Sequence, residues 1–257
     1  MELKTWEGLL KKISMIFVEE YYEKNIVKDA IVSILLAPFK NYPFIALTKR
    51  TYNFLKKRRF KVFFIPPAEK RRKINKKREY ILFVGRLCKS KNPELIISLA
   101  REIKNENFLV IGKGEFSDLI KKASQELKNL KYIEYVEERE KLFEYYANAK
   151  ILLHPALSDP VGFVVVEALS TSTPVLVSSS TGVADFLPKD WVIDKPDVQK
   201  WIEKIEQMTR NLDKNIKLAE STFENEHLNL DDRYFDEIAK GIEKQQNSFL
   251  PTHSIYQ

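Results

Sequence analysis

Cysteine is almost absent from this chain of 257 residues, with Cys88 as its single example. One cysteine excludes an internal disulfide and favours a reducing, intracellular location. No apolar run reaches the ~20 residues that cross a bilayer, and the longest run covers residues 30–39. The first twelve residues are charged and amphipathic, so they do not form a secretory signal pattern. We therefore expect a soluble, cytoplasmic protein.

Glycine and histidine are scarce too, with seven and three residues. Hydrophobic residues, by contrast, make up 44% of the chain and aromatic residues 12%. This composition allows a packed core and excludes a globally disordered chain. The length suffices for one large α/β domain or two small ones.

Positive charge is concentrated in one segment. Residues 55–79 carry 12 Lys and Arg against two Glu, whereas the rest of the chain carries 31 basic and 34 acidic residues. Such a segment suits nucleic acid, anionic lipid or a phosphorylated ligand. It is equally compatible with a solvated surface stretch at a domain junction.

Strand-like apolar runs alternate with helical patterns, which predicts βα units and a parallel sheet. In the second part of the chain the predicted strands are residues 80–84, 108–111, 132–135, 151–153, 174–177 and 191–193. The predicted helices between them are residues 93–104, 117–130, 139–149 and 163–170, with further helices after the last strand. This is a complete doubly wound domain. The first part is less regular, with short strands expected at residues 14–18, 31–36, 44–47 and 62–65 and a helix at 49–57.

Candidate site residues follow the strands, because ligands of open α/β sheets bind at the carboxyl ends of the strands. Arg86 and Lys91 follow the first strand of the second part. Asn92 is expected to cap the next helix, with Pro93 at its first position. The two cations would then lie beside a helix N-terminus, where a diphosphate is bound most readily. The alternative is an ordinary basic loop.

The stretch Gly112-Lys113-Gly114 follows the second of these strands. It imitates a dinucleotide fingerprint, but a serine, Ser117, stands where the third glycine belongs and the strand is an interior one. The two glycines are better explained by a tight turn or by close approach of the backbone to a ligand.

The stretch SDPVGFVVVE places Asp159 before a helix start at Phe163 and Glu167 one turn inside that helix. Asp159 can accept hydrogen bonds from sugar hydroxyls. Glu167 lies among apolar neighbours and would be costly to bury without a partner such as a ribose diol. The alternative is a capping acid followed by an amphipathic helix acid.

In order and spacing, these motifs resemble the donor-binding domain of family 4 retaining glycosyltransferases of the GT-B fold. The matching stretches are Gly85-Arg86 with Lys91-Asn92, Ile111-Gly112-Lys113-Gly114, and a block containing His154-Pro155, Asp159-Pro160-Val161-Gly162-Phe163, Glu167-Ala168 and Ser172-Thr173-Pro174-Val175. The likeness is close over residues 80–193 and looser back to residue 44, and Ile65-Pro66-Pro67 is similar to the interdomain turn of the family.

The resemblance implies an α/β, GT-B-like protein with two Rossmann-like domains, the N-terminal one truncated. Its parts would be a reduced acceptor-side domain (1–66), a basic linker (67–78), a donor-binding domain (79–225), a helix crossing back to the first domain (226–247) and a tail (248–257).

The resemblance also assigns roles. Arg86 and Lys91 would neutralise the departing nucleoside diphosphate, Asp159 would reach the donor sugar, and these three would be the catalytic residues. The donor-binding residues would be Gly85, Arg86, Lys91, Gly114, Asp159, Gly162, Phe163 and Glu167, with Glu167 on the ribose hydroxyls. His154 would be a structural or supporting residue. The family usually needs no metal, and the chain has no Asp-x-Asp pair.

The implied activity is transfer of a hexose, with retention, from a UDP- or GDP-linked sugar to a glycan, lipid-linked or protein acceptor. No other cofactor is expected. The basic segment suggests peripheral contact with an anionic membrane. Two alternatives stay open: a nucleotide-sugar-binding subunit that needs a partner chain, and, less favoured, a DNA-binding or DNA-glucosylating protein.

Overall fold

The computed structural model describes residues 36–40, 44–194, 197–226 and 228–231, together with residues 234, 236 and 240. The chain divides into two compact units, one formed by Met1–Pro66 with Leu230–Gln257 and the other by Pro67–Asn229. The strand expected at residues 14–18, most of the strand expected at 31–36, and the tail lie outside the described residues, as does most of the helix expected at 226–247.

The described part of the first unit contains a βαβ element, preceded by a short 3₁₀ turn at Ala37–Phe39. Strands β1 (Phe44–Ala46) and β2 (Val62–Phe64) pair in parallel, and helix α1 (Lys49–Lys57) connects them. Thr48 starts α1, because its hydroxyl accepts a hydrogen bond from the Thr51 N–H at 3.2 Å. The core of this element consists of Phe44, Ala46, Phe54, Leu55, Phe60 and Val62. Within the same unit, the Tyr234 hydroxyl donates to the Pro66 carbonyl at 2.6 Å.

The second unit is a doubly wound α/β domain. Its strands are β3 (Tyr80–Val84), β4 (Phe108–Ile111), β5 (Leu130–Ile133), β6 (Ala149–His154), β7 (Val175–Ser178) and β8 (Val192–Ile193). Its helices are α2 (Glu94–Glu102), α3 (Ser117–Glu126), α4 (Arg139–Asn148), α5 (Phe163–Ser170), α6 (Val198–Arg210) and α7 (Leu212–Asn225). All six strands are parallel, in the order β5-β4-β3-β6-β7-β8.

The strand order reverses between β3 and β6. The chain moves outward from β3 to β4 and β5, then returns to β6 and continues outward on the other side. Because parallel crossovers are right-handed, α2 and α3 cover one face of the sheet and α4 and α5 the other. In sheets of this type, ligands bind at the carboxyl ends of the strands beside such a reversal. Here the loops after β3 and β6 are joined there, because the Leu157 and Ser158 N–H groups donate to the Ser90 carbonyl.

The predicted alternation of strands and helices in this unit is confirmed, but some details are wrong. Strand β5 begins at Leu130 rather than at residue 132, because α3 already ends at Glu126. Leu130 is buried and pairs with Phe108, whereas Tyr135 is exposed.

Asn92 does not cap α2 with its side chain. The helix begins at Glu94, and Pro93 occupies the N-cap position without a side-chain hydrogen bond. Asn92 instead ends the short 3₁₀ turn Lys89–Lys91 in the left-handed conformation, at φ 52°. Asparagine tolerates this conformation better than most residues. The residue therefore shapes the loop and does not start the helix.

Candidate functional site

The loop after β3 is held tightly by the loop after β4. A Cβ atom on Gly112 would lie 1.9 Å from the carbonyl oxygen of Gly85, so only glycine fits there. Leu87 exchanges backbone hydrogen bonds with this second loop, donating to Lys113 and accepting from Phe116, each at 3.0 Å. Glycine at position 112 thus allows the loops after β3 and β4 to pack directly against each other.

Gly114 belongs to the same contact. A Cβ on it would lie 2.4 Å from the Leu87 carbonyl oxygen, and its N–H donates to the Ser117 hydroxyl at 2.9 Å. Its backbone N–H is therefore already bonded within the protein. The two loops together fix the backbone that carries Gly85, Arg86 and Lys91.

Lys91 and Asp159 meet between the loops after β3 and β6. The Lys91 ammonium lies 2.5 Å from Oδ2 of Asp159. The same oxygen lies 2.7 Å from Nε2 of His154, the last residue of β6. The second oxygen, Oδ1, accepts the Val161 N–H at 3.3 Å. The sequence placed Lys91 and Asp159 in one site, and the structure joins them directly.

The charge state of Asp159 follows from these contacts. Burial by itself would raise the pKa of this carboxyl group. The hydrogen bonds and charges of His154 and Lys91 outweigh burial and hold the pKa well below its usual range. Asp159 is therefore ionised at neutral pH.

Helix α5 begins beside this cluster with open backbone donors. Gly162 precedes it in the left-handed conformation, at φ 88°, and no side chain caps the first turn. A Cβ on Gly162 would lie 2.5 Å from the Thr181 methyl group. The loop after β7 holds this turn, because Gly182 donates to the Asp159 carbonyl and Val183 to the Val161 carbonyl, each at 2.9 Å. A rigid helix N-terminus thus opens onto the rim of the sheet.

Glu167 points toward helix α4. Its Oε2 accepts a hydrogen bond from the Tyr146 hydroxyl at 2.8 Å, and its Oε1 lies 3.8 Å from the Arg139 guanidinium. Burial raises the pKa of Glu167 above its usual value, and Tyr146 and Arg139 offset this only in part. Burial and the adjacent carboxylate also raise the pKa of Tyr146, which is therefore a neutral donor.

The remaining predicted residues are exposed on the same rim. Arg86 is exposed and forms no ion pair with any described residue. Phe163, the first residue of α5, is 56% exposed. No contact among the described residues joins Arg86 or Glu167 to the Lys91–Asp159–His154 cluster. The structure thus forms one direct cluster and places the other residues around it.

Three residues near the rim were not predicted from the sequence. Tyr146 and Arg139 hold Glu167, and Tyr135 exposes 65% of its surface after β5. Tyr146 lies 21 positions from Glu167, so no local motif connects them. The one available signal was the expected burial of Glu167, which requires a hydrogen-bonding partner.

Much of the basic segment is paired within the second unit. Arg71 pairs with Glu224 at 3.2 Å, Lys76 with Glu220 at 3.7 Å, and Arg72 donates to Glu140 at 2.6 Å. Arg78 donates to the Ala149 and Ser172 carbonyls and to the Thr173 hydroxyl, at 2.6–2.8 Å. Burial lowers the pKa of Arg78 to about 10, which leaves it charged.

Three lysines of this segment, Lys70, Lys73 and Lys77, are exposed and form no ion pair with the described residues. Among the described residues, no group of three or more His, Cys, Asp or Glu side chains is arranged to hold a metal ion. No helix in the described ranges has the length and hydropathy needed to cross a bilayer.

Several curated proteins are similar in sequence to part of this chain. An uncharacterized glycosyltransferase of Methanocaldococcus jannaschii is 30% identical over 132 residues, which cover 47% of this chain and 34% of that protein. The sulfoquinovosyl transferase of Arabidopsis thaliana is 26% identical over 110 residues, covering 43% of this chain and 21% of its own length. The matched part of the chain therefore spans about a third of the first relative and about a fifth of the second.

Solved structures give the fold. Anabaena HepE in complex with UDP superposes with a TM-score of 0.71 at 12% identity, over 95% of this chain and 74% of that one. Sucrose-phosphate synthase of Thermosynechococcus elongatus superposes with a TM-score of 0.70 at 15% identity, over 95% of this chain and 70% of the synthase chain. TarM superposes with a TM-score of 0.69 at 18% identity, over 91% of this chain and 49% of the TarM chain.

The family follows from the sequence model for glycosyl transferases group 1, which matches residues 65–224, more than half of the chain. The matched range contains nearly all of the second unit and every predicted site residue. The α/β fold with its parallel, Rossmann-like sheet agrees with the GT-B architecture of the structural neighbours. This chain belongs to the glycosyl transferases group 1 family.

Proposed function

We propose that this protein transfers a hexose, with retention of configuration, from a UDP- or GDP-linked sugar. The observation that carries the proposal is the group of charges at the strand-order reversal: Lys91 and Asp159 in contact, with the open N-terminus of α5 beside them. Nucleotides bind α/β sheets of this type at such a reversal.

The diphosphate would lie between the loop after β3 and the N-terminus of α5. Lys91 and Arg86 supply two cations on one loop, and α5 supplies backbone N–H groups and the positive end of its dipole. These groups stabilise the negative charge that develops on the leaving diphosphate. We infer that these protein groups neutralise the negative charge of the diphosphate and that no metal ion is needed.

The sugar and the nucleoside would lie on either side of the diphosphate. Asp159 is ionised, and its carboxylate can accept hydrogen bonds from sugar hydroxyls, with the backbone at Gly162 and Phe163 completing that side. Glu167 would accept two hydrogen bonds from the ribose diol, held in place by Tyr146. Tyr135 is an exposed aromatic ring at the same rim, which suits stacking on the base.

The reaction would proceed on one face of the sugar. The bond between the anomeric carbon and the diphosphate oxygen breaks, and the bond to the acceptor oxygen forms on the same side. The departing diphosphate takes the proton of the acceptor hydroxyl. The protein contributes position and charge stabilisation, so no side chain needs to form a covalent intermediate.

We propose a glycan, a lipid-linked glycan or a protein as the acceptor. A mutant of S. aureus TarM has been crystallised with fondaparinux, alpha-GlcNAc-glycerol and UDP, and Anabaena HepE with UDP-glucose. These complexes support a sugar nucleotide and a glycan as ligands here. The exposed Lys70, Lys73 and Lys77 favour peripheral contact with an anionic membrane on the cytoplasmic side.

Calorimetry with UDP-glucose, UDP-galactose, UDP-N-acetylglucosamine and GDP-mannose tests the proposal. We expect binding of at least one of these donors. Arg86→Ala and Glu167→Ala should each weaken it at least about tenfold, the effect of one charged hydrogen bond. Lys189→Ala, at the opposite edge of the sheet, is the matched control and should bind normally. Equal affinity in all four proteins would refute the site.

Turnover of the bound donor separates two functions. Formation of a glycosylated acceptor, lost in Arg86→Ala and Glu167→Ala while both variants stay folded, supports a transferase. Tight donor binding without release of nucleotide under any acceptor condition supports a donor-binding subunit that works with a partner chain.

A further inference from the structure

His154 is a buried polar side chain with a single polar contact. It ends strand β6 and is only 2% exposed. Its Nε2 lies 2.7 Å from Oδ2 of Asp159, and its Nδ1 has no hydrogen-bonding partner among the described residues. Burying an imidazole in this way is costly. Its bond to Asp159 is therefore the feature that accounts for a histidine at this position.

Two donors compete for one oxygen of Asp159. Both Lys91 Nζ and His154 Nε2 approach Oδ2, whereas Oδ1 has only the long contact to the Val161 N–H. The two donors differ in freedom. The Lys91 ammonium lies at the end of a long side chain that extends from the short 3₁₀ turn, whereas the His154 ring is fixed by its strand and by burial. A diphosphate arriving at the rim would attract Lys91 but could not move His154.

We propose that His154 is a positioning residue that keeps Asp159 ionised and oriented when Lys91 turns from this carboxylate to the diphosphate of the donor. This inference rests on the proposed function. Without His154, a half-buried carboxylate beside an incoming anion would lose its main cation and take up a proton. With His154, Oδ2 stays bonded and Oδ1 stays directed toward the sugar.

The charges around Asp159 support this assignment. Hydrogen bonds and charges of both His154 and Lys91 lower the pKa of Asp159. With UDP bound, loss of His154 should raise the pKa of Asp159 more than loss of Lys91 does, because Lys91 has then already turned to the diphosphate. A merely structural histidine would not produce that order.

The test is a carbon-13 NMR titration of the Asp159 carboxyl group, with and without saturating UDP. The proteins are the wild type, His154→Phe, His154→Gln as the conservative replacement with a donor, Lys91→Met, and Tyr80→Phe as a control at the opposite rim. In the wild type, Asp159 should titrate below its usual range in both states. In His154→Phe, UDP should move the midpoint to the usual range or above, and His154→Gln should reverse part of that shift.

Kinetics give a second readout. His154→Phe should lower kcat with UDP-sugar about 100-fold, the effect of a misplaced reacting group, with KM changed much less. The acid limb of kcat/KM should move to higher pH. An unchanged Asp159 midpoint in His154→Phe with UDP would overturn the proposal. So would a smaller effect of His154→Phe than of Lys91→Met.

Two further outcomes keep the test decisive. If His154→Phe does not fold, the nitrogen-15 spectrum of His154 in the wild type is measured instead. Nε2 should stay protonated and hydrogen-bonded after UDP is added. Loss of that signal would overturn the proposal. If the wild type binds no UDP, the proposed function fails. The UDP-free titration still measures whether His154 holds Asp159.

Discussion

At the scale of single residues, the site contains two acids whose pKa values are shifted in opposite directions, down for Asp159 and up for Glu167. Asp159 is stabilised as a carboxylate by two donors, whereas Glu167 carries its charge against the cost of burial. Tyr146 is the one close donor to Glu167, at 2.8 Å, and Arg139 is more distant, at 3.8 Å. A buried carboxylate that destabilises the folded state is characteristic of a binding site, where residues are selected for function rather than for stability.

Glu167→Gln should therefore stabilise the protein at neutral pH. The pKa of Glu167 is higher in the folded state, so its favourable contribution exists below its unfolded-state pKa and is lost as pH rises through the folded-state value. A neutral amide avoids that loss and still accepts the Tyr146 hydrogen bond. We expect a gain of about 1 kcal/mol in urea denaturation at pH 7.5, together with weaker UDP binding. A less stable variant would contradict this account.

Asp159→Asn should show the opposite behaviour. The pKa of Asp159 is lower in the folded state, so its contribution is present above its unfolded-state pKa, close to 3.8, and is lost as pH falls toward the folded-state value. At pH 7 the variant should lose about 2 kcal/mol, because Lys91 and His154 are left without their anion. Between pH 5 and 3 the wild type should lose stability more steeply than the variant, measured by urea denaturation at each pH. Parallel pH curves would contradict this.

The sequence identified the candidate residues but not their partners. Lys91, Asp159, Gly162 and Glu167 were all predicted for one rim because strand ends in a parallel sheet share an edge. The direct Lys91–Asp159 pair and the Tyr146–Glu167 bond depend on side-chain directions between separate elements. Spacing along the chain does not contain that information.

At the scale of elements, two of the four described left-handed residues that are not glycine lie in turns next to helices α2 and α5. Asn92 ends the turn before α2 at φ 52°, and Ser172 follows α5 at φ 58°. Ser172 closes a Schellman motif, in which the Thr173 N–H bonds the Ala168 carbonyl at 3.0 Å and the Ser172 N–H bonds the Leu169 carbonyl at 2.8 Å. Both residues adopt the left-handed conformation that glycine usually occupies in such turns.

Ser172→Gly should therefore raise stability by up to about 1 kcal/mol, because a left-handed conformation costs an L-residue about that much. Ser172→Val should lower it, since a branched side chain fits this conformation poorly. Thermal denaturation of both variants provides the measurement, with Ser221→Gly, inside α7, as a control that should be destabilised. A less stable Ser172→Gly would show that the motif contributes no strain.

Element boundaries were predicted less well than element types. The helix and strand pattern of residues 80–225 was correct, because buried strands and amphipathic helices differ clearly in period. Strand β5 was misplaced by two residues at its start, since Lys131 interrupts the apolar pattern between Leu130 and Tyr132. Strand pairing with β4 fixes its actual start.

At the scale of the whole molecule, the positive charge separates into a structural and an available part. Arg71, Arg72, Lys76 and Arg78 are engaged by acids or carbonyl groups of the second unit. Lys70, Lys73 and Lys77 remain exposed. The net charge of this segment could be counted from the sequence, but only the fold distinguishes the paired basic residues from the exposed ones.

Replacing Lys70, Lys73 and Lys77 together by Gln should weaken binding to anionic liposomes by about 3 kcal/mol, or roughly 100-fold, at about 1 kcal/mol for each base. Stability should be unchanged. The matched control replaces Lys200, Lys214 and Lys217, three exposed lysines of α6 and α7. Co-flotation with phosphatidylserine vesicles measures the effect. Equal loss in both triple variants would mean that net charge, not this segment, governs binding.

The most direct test of the account is a crystal structure of the chain with UDP. We predict that the diphosphate lies at the N-terminus of α5 within hydrogen-bonding distance of Lys91 and Arg86, and that the ribose hydroxyls bind Glu167. UDP bound elsewhere, with these three side chains free of it, would contradict the account.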